Sequence, residues 1–441
     1  MKLRSLIVAT FVLLVLAGTL YWSGHRKGSE ETVKASADAP PAILKLDQSS
    51  ITKVEMKNKD AEPIVLAKGD SGSWQIQEPK PFNADQSSVL DMLSSLSSLT
   101  SERVVENKNS DLARFGLDNP TLEVDVTAKD NKTHQLLLGD ETPTGGAVYA
   151  MVAGDPRIFT MATYNKTSID KSVNDLRDKR LITENADKIN QLQLIRKNQE
   201  IEFGRTKDGW QILKPKPLRA DSVQVGELLG KLADARMDLS APQQGSKEIA
   251  AAAAHAAPVA TAKVTDQSGT QELQVYKDKD TYYAKSSVVG GTYKVDSSLG
   301  QAVDKSLEDF RNKKVFDFGY NEPTKIEIHN GSKAYFLIRS GEDWWSNGKK
   351  MDADGVEMLL SDLRDLEASK FVDSGFGQPS MELVVSSNDG KRVEQVSISR
   401  SGAGFIAKRE SDPTLYYLES GSVNGIQKAA DDLKPAVKAP K

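Results

Sequence analysis

The chain of 441 residues contains no cysteine, and only 6% of it is aromatic. The first absence excludes disulfides, thiolate metal sites and cysteine nucleophiles, without fixing a compartment, because reducing and oxidising spaces both hold cysteine-free proteins. Histidine is nearly as scarce. His25, His134, His255 and His329 show no paired metal spacing such as H-E-x-x-H. Neither charge sign dominates: 58 Lys plus Arg stand against 62 Asp plus Glu, so no basic domain offers an electrostatic footprint for nucleic acid. Signatures of phosphate loops and hydrolases are missing too. Gly139 to Gly146 lacks the following Lys-Ser or Lys-Thr and reads as a hairpin turn, and no G-x-S-x-G elbow occurs. The expectation is a protein that is not an enzyme and carries no cofactor and no metal.

Long apolar runs are absent except at the start. Ser5 to Trp22 is an almost unbroken apolar stretch of 18 residues, with Lys2 and Arg4 before it and His25, Arg26 and Lys27 after it. As a helix it would measure roughly 27 Å, enough to cross a hydrocarbon core, with Tyr21 and Trp22 at the interface. This predicts an uncleaved transmembrane anchor over 1–27 in the inner (cytoplasmic) membrane, with the bulk of the chain extracytoplasmic. Gly28 to Ser49, rich in Ser, Ala, Pro and charge, reads as a flexible spacer.

What is present is a threefold pattern. Asp85, Val89, Leu93, Leu96 recur as Asp221, Val225, Leu229, Leu232 and as Asp352, Val356, Leu360, Leu363, at intervals of roughly 130 residues. Trp74, Trp210 and Trp344 precede these series, and the first two copies share Pro79-Lys80-Pro81 and Pro215-Lys216-Pro217. Each aspartate stands where an N-cap belongs, ahead of an apolar face spaced by four and three. Before and after each helix come short β-branched or alternating runs separated by Asn, Asp, Gly and Ser, among them Ile51 to Asn58 and Thr121 to Thr127. The fold class expected is α+β: an N-terminal transmembrane helix, then three tandem repeats, each of antiparallel strand meanders with two covering helices. The copies are placed at 50–184, 185–319 and 320–437, with a tail at 438–441. A half-unit used twice per copy is a further expectation.

Three groups of residues are candidates for a partner or ligand surface. Trp74, Trp210 and Trp344 suit aromatic platforms for glycan or peptide, since indole joins apolar area to a donor, although core packing after a turn is the reading favoured for them. Arg177, Lys179 and Arg180 close the first copy with a cationic stripe that also suits a helix C-terminus. Phe115 and the turn Thr142-Pro143-Thr144-Gly145-Gly146 belong to segments kept in the first copy and lost from the second, which has the alanine run Ile249 to Pro258 instead.

Several of these stretches carry a resemblance. Trp-x-Ile followed by Pro and an Ala-Asp helix start, then Arg103-Val104-Val105-Glu106, Phe115-Gly116-Leu117-Asp118-Asn119-Pro120, Leu138-Gly139-Asp140 with the Thr-Pro-Thr-Gly-Gly turn, and Leu176-Arg177-Asp178-Lys179-Arg180 together resemble the bacterial family called domain of unknown function 4340. The resemblance is densest over Ile51 to Leu181. It implies an envelope accessory protein, since members are often encoded beside ABC-transporter components similar to those of gliding-motility systems, and it transfers no catalytic residues.

The reading is a membrane-anchored, non-enzymatic extracytoplasmic scaffold that meets the membrane through Ser5 to Trp22 and binds an envelope protein such as a transporter component. A periplasmic glycan- or peptide-binding module using the repeat tryptophans is the alternative. A hydrolase with a carboxylate pair about 5 to 9.5 Å apart is the third.

Overall fold

The computed structural model describes residues 41–108, 111–239, 247–319 and 323–436. In the first copy, β1 (Ala42–Lys45) precedes a meander of β2 (Ile51–Asn58), β3 (Ile64–Lys68), β4 (Trp74–Glu78) and β5 (Phe82–Asn83), which leads to helix α1 (Gln86–Ser97). After β6 (Ser98–Thr100) and β7 (Arg103–Glu106), a second meander follows: β8 (Leu122–Ala128), β9 (Thr133–Glu141), β10 (Ala147–Val152) and β11 (Ile158–Ala162), then α2 (Thr163–Ile169) and α3 (Val173–Leu176). Antiparallel pairing of β2 with β8 fuses the two meanders into one nine-stranded sheet, β5-β4-β3-β2-β8-β9-β10-β11-β7. Four strands and a helix therefore occur twice per copy, which is the half-unit expected from sequence.

The second copy contains β12 (Gln191–Arg196), β13 (Gln199–Thr206), β14 (Gly209–Lys214), β15 (Leu218–Arg219), α4 (Ser222–Ala233), α5 (Lys247–His255), β16 (Ala257–Thr265), β17 (Thr270–Asp278), β18 (Thr281–Ser286), β19 (Tyr293–Val295), α6 (Ser297–Val303) and α7 (Leu307–Phe310). The third contains β20 (Pro323–Asn330), β21 (Lys333–Ser340), β22 (Asp343–Ser346), β23 (Lys349–Lys350), α8 (Ala353–Arg364), β24 (Lys370–Val372), β25 (Pro379–Ser387), β26 (Arg392–Ser401), β27 (Gly404–Arg409), β28 (Asp412–Leu418) and α9 (Ser420–Asp431). Their sheets have eight and nine strands in the same order of halves. The chain divides into two compact units between Asp178 and Lys179, so the first copy makes one unit, and the second and third make the other.

The helices form for the reasons the sequence gives. Asp85, Asp221 and Asp352 each cap a 12-residue helix, accepting from the backbone N–H of Ser88 (3.1 Å), of Val223 and Gln224 (2.9 and 3.2 Å), and of Gly355 (3.3 Å). Their apolar stripes, such as Val89, Met92, Leu93 and Leu96 of α1, are buried against alternate strand residues, for example Val54, Met56, Val124 and Val126. Each such side chain contributes about 1.5–3 kcal/mol on burial. Every copy has its own core of this kind.

Each copy is also fastened by its own last segment. The backbone N–H of the capping aspartate donates to Leu176 in the first copy (2.8 Å), Phe310 in the second (2.8 Å) and Lys434 in the third (2.9 Å). The residue before each aspartate bridges the same segment: Ala84 with Arg177, Ala220 with Arg311, and Met351 with Pro435.

Two parts of the expected fold class require correction. Among the described residues strand dominates, with 46% strand against 22% helix in four antiparallel sheets, because each half-unit sets one short helix against four strands. The expected transmembrane helix is not found. No helix among the described residues is long and apolar enough to cross a membrane, and Ser5 to Trp22 lies outside those residues, as does most of the spacer from Gly28 onward.

Candidate functional site

The three repeat tryptophans point inward. Trp74 is 2% exposed and Trp344 8%, while Trp210 is partly buried against the core of its copy. In the first two copies the backbone of this residue ties its strand to the following helix: the Trp74 backbone N–H donates to Gln86 Oε1 (2.8 Å), Gln86 Nε2 donates back to the Trp74 carbonyl (2.9 Å), and the Trp210 N–H donates to Ser222 Oγ (3.1 Å). The buried rings of Trp74 and Trp344 are packed into the cores of their copies, and Trp210 lies partly buried against its own.

Phe115 is buried as well. It belongs to a turn that lies over the outer face of β9 and β10, where it meets Leu117, Met151 and Ile158 and sets its ring edge-on to Tyr149 at 4.8 Å. The approach is so close that a Cβ on Gly139 would fall 2.1 Å from the Phe115 carbonyl oxygen, and Gly116 takes φ +67°. In the second copy α5, made from the alanine run, contacts β17, the counterpart of β9, and buries Ala253. Thr142, Gly145 and Gly146 form the tip of the β9–β10 hairpin: Gly145 donates to the Thr142 carbonyl (2.8 Å), both glycines have positive φ, and Thr142 is buried. The basic ending of the first copy spans the boundary between the two units. Arg177 stacks 4.2 Å from the Phe82 ring centroid, Arg180 bridges Arg236, and the Lys179 carbonyl accepts from Met237 (2.8 Å).

One group that the repeat pattern did not single out is the outer face of the third copy's sheet. Ile338 on β21 pairs with Trp345 on β22 and with Lys325 on β20, so all three side chains share a face, and Phe336 shares it two residues earlier. Phe336 is 41% exposed, Ile338 55% and Trp345 39%. The same row in the other copies is small or polar. It reads Lys53, Ala67, Gln75 in the first and Gln191, Gly204, Gln211 in the second. Where Phe336 stands, the second copy has Glu202, paired with Lys214 at 2.7 Å, and the first has Val65, which is buried. The first copy has no exposed large apolar side chain at these positions, and in the second Leu213 alone, 38% exposed, lies over Gly204, where a Cβ would fall 2.9 Å from it.

The profile of a family described as Domain of unknown function (DUF4340) matches residues 74–248 and 210–383. The chain belongs to this family. Both matches begin at equivalent tryptophans, Trp74 and Trp210, so a DUF4340 match starts at the third strand of one copy and runs into the next. No curated protein matches the chain. Among solved structures it is similar to a DNA polymerase sliding clamp from Pseudomonas aeruginosa, at 9% identity over 86% of this chain and 93% of that one, with a TM-score of 0.18. The DNA polymerase III subunit beta from the same organism is similar at 9% identity over 85% and 92%, with a TM-score of 0.16. Likeness at that level carries no argument.

Where the second copy of this DUF4340 chain meets the third, buried charges (Glu394, Arg409, Asp412) and half-buried ones (Arg219, Asp317, Arg392) form a network. Asp317, in the connection between them, is faced by Arg219 of β15, by Arg409 of β27 (3.4 Å) and by Arg392 of β26 (3.5 Å), and it accepts from Asn312 Nδ2 (3.0 Å). Its own backbone N–H donates to Glu394 (2.7 Å), which also takes Arg409 at 3.1 Å. Arg219 donates further to the Lys314 carbonyl (2.7 Å) and to the Tyr416 hydroxyl (2.9 Å), and Tyr416 donates to Asp412 (2.7 Å). Burial pushes the Tyr416 hydroxyl up to about 12, with the Asp412 carboxylate adding to the effect and Arg219 opposing it. For Asp412, burial acts upward, but bonds from Thr414 and Tyr416 and the Arg219 charge prevail and hold it below the usual carboxylate range. Three arginines against three carboxylates leave the network balanced, which suits a joint rather than a reactive centre. Among the described residues no group of His, Asp and Glu is placed to hold a metal ion.

Proposed function

We propose that this chain is a non-enzymatic scaffold of the bacterial envelope, acting on the extracytoplasmic side beside transport machinery, and that it binds protein through the outer face of its third copy. A single observation carries the reading: Phe336, Ile338 and Trp345 are exposed together where the other two copies place small, polar or buried residues on the same sheet positions. Contiguous apolar exposure on a soluble domain marks a contact surface. The internal repeat removes the alternative that the fold itself demands these residues. The rest of the repeated sequence builds caps, cores and joints, which is the division of labour expected of a scaffold.

The test is photocrosslinking in intact cells, with a benzophenone amino acid at Ile338 and, as controls, at the equivalent Ala67 and Gly204. The expected result is protein adducts from position 338 that disappear when Phe336→Glu is added. Equal yields from all three positions would overturn the assignment of the face.

A further inference from the structure

We propose that Asn347 is a site of spontaneous deamidation, converted through attack by the Gly348 backbone nitrogen into isoaspartate and aspartate; this does not depend on the contact-face reading above. Asn-Gly occurs three times, at Asn330-Gly331, Asn347-Gly348 and Asn424-Gly425. Glycine has no Cβ, so its backbone nitrogen is the least hindered nucleophile that a following residue can offer to an asparagine side chain. That nitrogen must also be free of a hydrogen bond to attack. Gly331 donates its N–H to the Ser380 carbonyl (3.2 Å). Gly425 lies inside α9, where the helical ladder directs its N–H to the Gly421 carbonyl. Asn347 and Gly348 differ from both. They are the exposed central residues of the β22–β23 turn, with φ 47° and 75°. In a two-residue turn of this kind the flanking pair, here Ser346 and Lys349, takes the hydrogen bonds, which leaves the Gly348 N–H to water.

Ring closure must bend the turn out of its left-handed conformation, and the pairing that opposes this is short. β23 is two residues long and meets β22 at Trp345 with Lys350 and at Ser346 with Lys349. A Cβ built on Gly348 would meet nothing within 4 Å, so the asparagine side chain has room to swing toward it. The Gly348 nitrogen gives its proton to water and bonds to Asn347 Cγ, and the side-chain nitrogen leaves as ammonia, closing a cyclic succinimide. Water then opens the ring. Opening at Cγ gives aspartate; opening at the main-chain carbonyl gives isoaspartate, whose main chain is longer by one methylene. No oxidant or reductant takes part. Either product sets a new carboxylate two residues from Trp345 and beside Lys349 and Lys350, and the longer isoaspartate main chain breaks the two-residue turn. The modified fraction rises with the age of the chain, which makes this edge of the third copy a slow, irreversible clock.

Peptide mapping by mass spectrometry of the full chain, aged at mildly alkaline pH in native buffer and in urea, tests this. The expected result in native buffer is amide-to-acid conversion at Asn347 at least roughly five-fold faster than at Asn330 or Asn424, the factor that a hydrogen bond of about 1 kcal/mol is worth. Electron-transfer fragmentation identifies isoaspartate among the products. In urea the three rates converge. Asn347→Gln, whose side chain would have to close a larger ring, abolishes conversion at this position and leaves Asn330 and Asn424 unchanged. Equal native rates at the three pairs, a faster rate at Asn330 or Asn424, or conversion at Asn347 in urea alone overturns the inference. Aspartate without isoaspartate excludes the cyclic route and overturns it too.

Discussion

At the scale of single residues the joint between the second and third copies concentrates the largest stakes. Arg219 contacts Asp317, Tyr416 and the Lys314 carbonyl at once, and removing one partner of a buried charge network leaves the others uncompensated. Arg219→Ala is expected to cost the second unit about 3 kcal/mol, measured by urea unfolding. Tyr416 gives the same network a pH signature. Its hydroxyl is held protonated to about 12 in the folded chain, so the native state keeps a proton that the unfolded chain releases near 10. Stability from this group is complete below the unfolded value and is lost as pH rises toward the folded one. Tyr416→Phe should therefore flatten the alkaline limb of the stability profile above pH 10, read from urea midpoints. Asp412 works in the other direction, since its depressed carboxyl gives stability that is lost as pH falls below the ordinary carboxylate range.

Elements were the most legible part of the sequence. Ile51 to Asn58 is a strand with the expected bounds, and Asp85, Asp221 and Asp352 are all caps, because alternation and capping are local signals carried by the residues themselves. Other features were hidden for physical reasons. Tyr335 to Ile338 is a continuous apolar run, so period-two reading could not say which of its side chains face water. The Arg219–Tyr416 contact joins residues 197 apart, and no local pattern announces it. The candidate tryptophans were found by repetition, yet repetition selects what the fold needs, and the exposed face lies where the copies differ. The turn over β9 shows how tightly one element can be set against another. Gly139→Ala would drive a methyl into the Phe115 carbonyl, and is expected to cost about 2 kcal/mol as overpacking against backbone, measured by thermal unfolding of the first unit.

For the whole molecule, division into two compact units has a direct thermal consequence. Calorimetry should resolve two transitions, with Gly139→Ala lowering one and Arg219→Ala the other; a single transition moved equally by both would refute the division. The terminal strap of each copy has a different one. Leu176, Phe310 and Lys434 supply the carbonyls that receive the capping aspartates far upstream, so no copy completes its central helix start until its own last residues exist. On the ribosome this makes closure a late event: each copy stays open through nearly all of its synthesis and locks only when its tail emerges, in order from first to third.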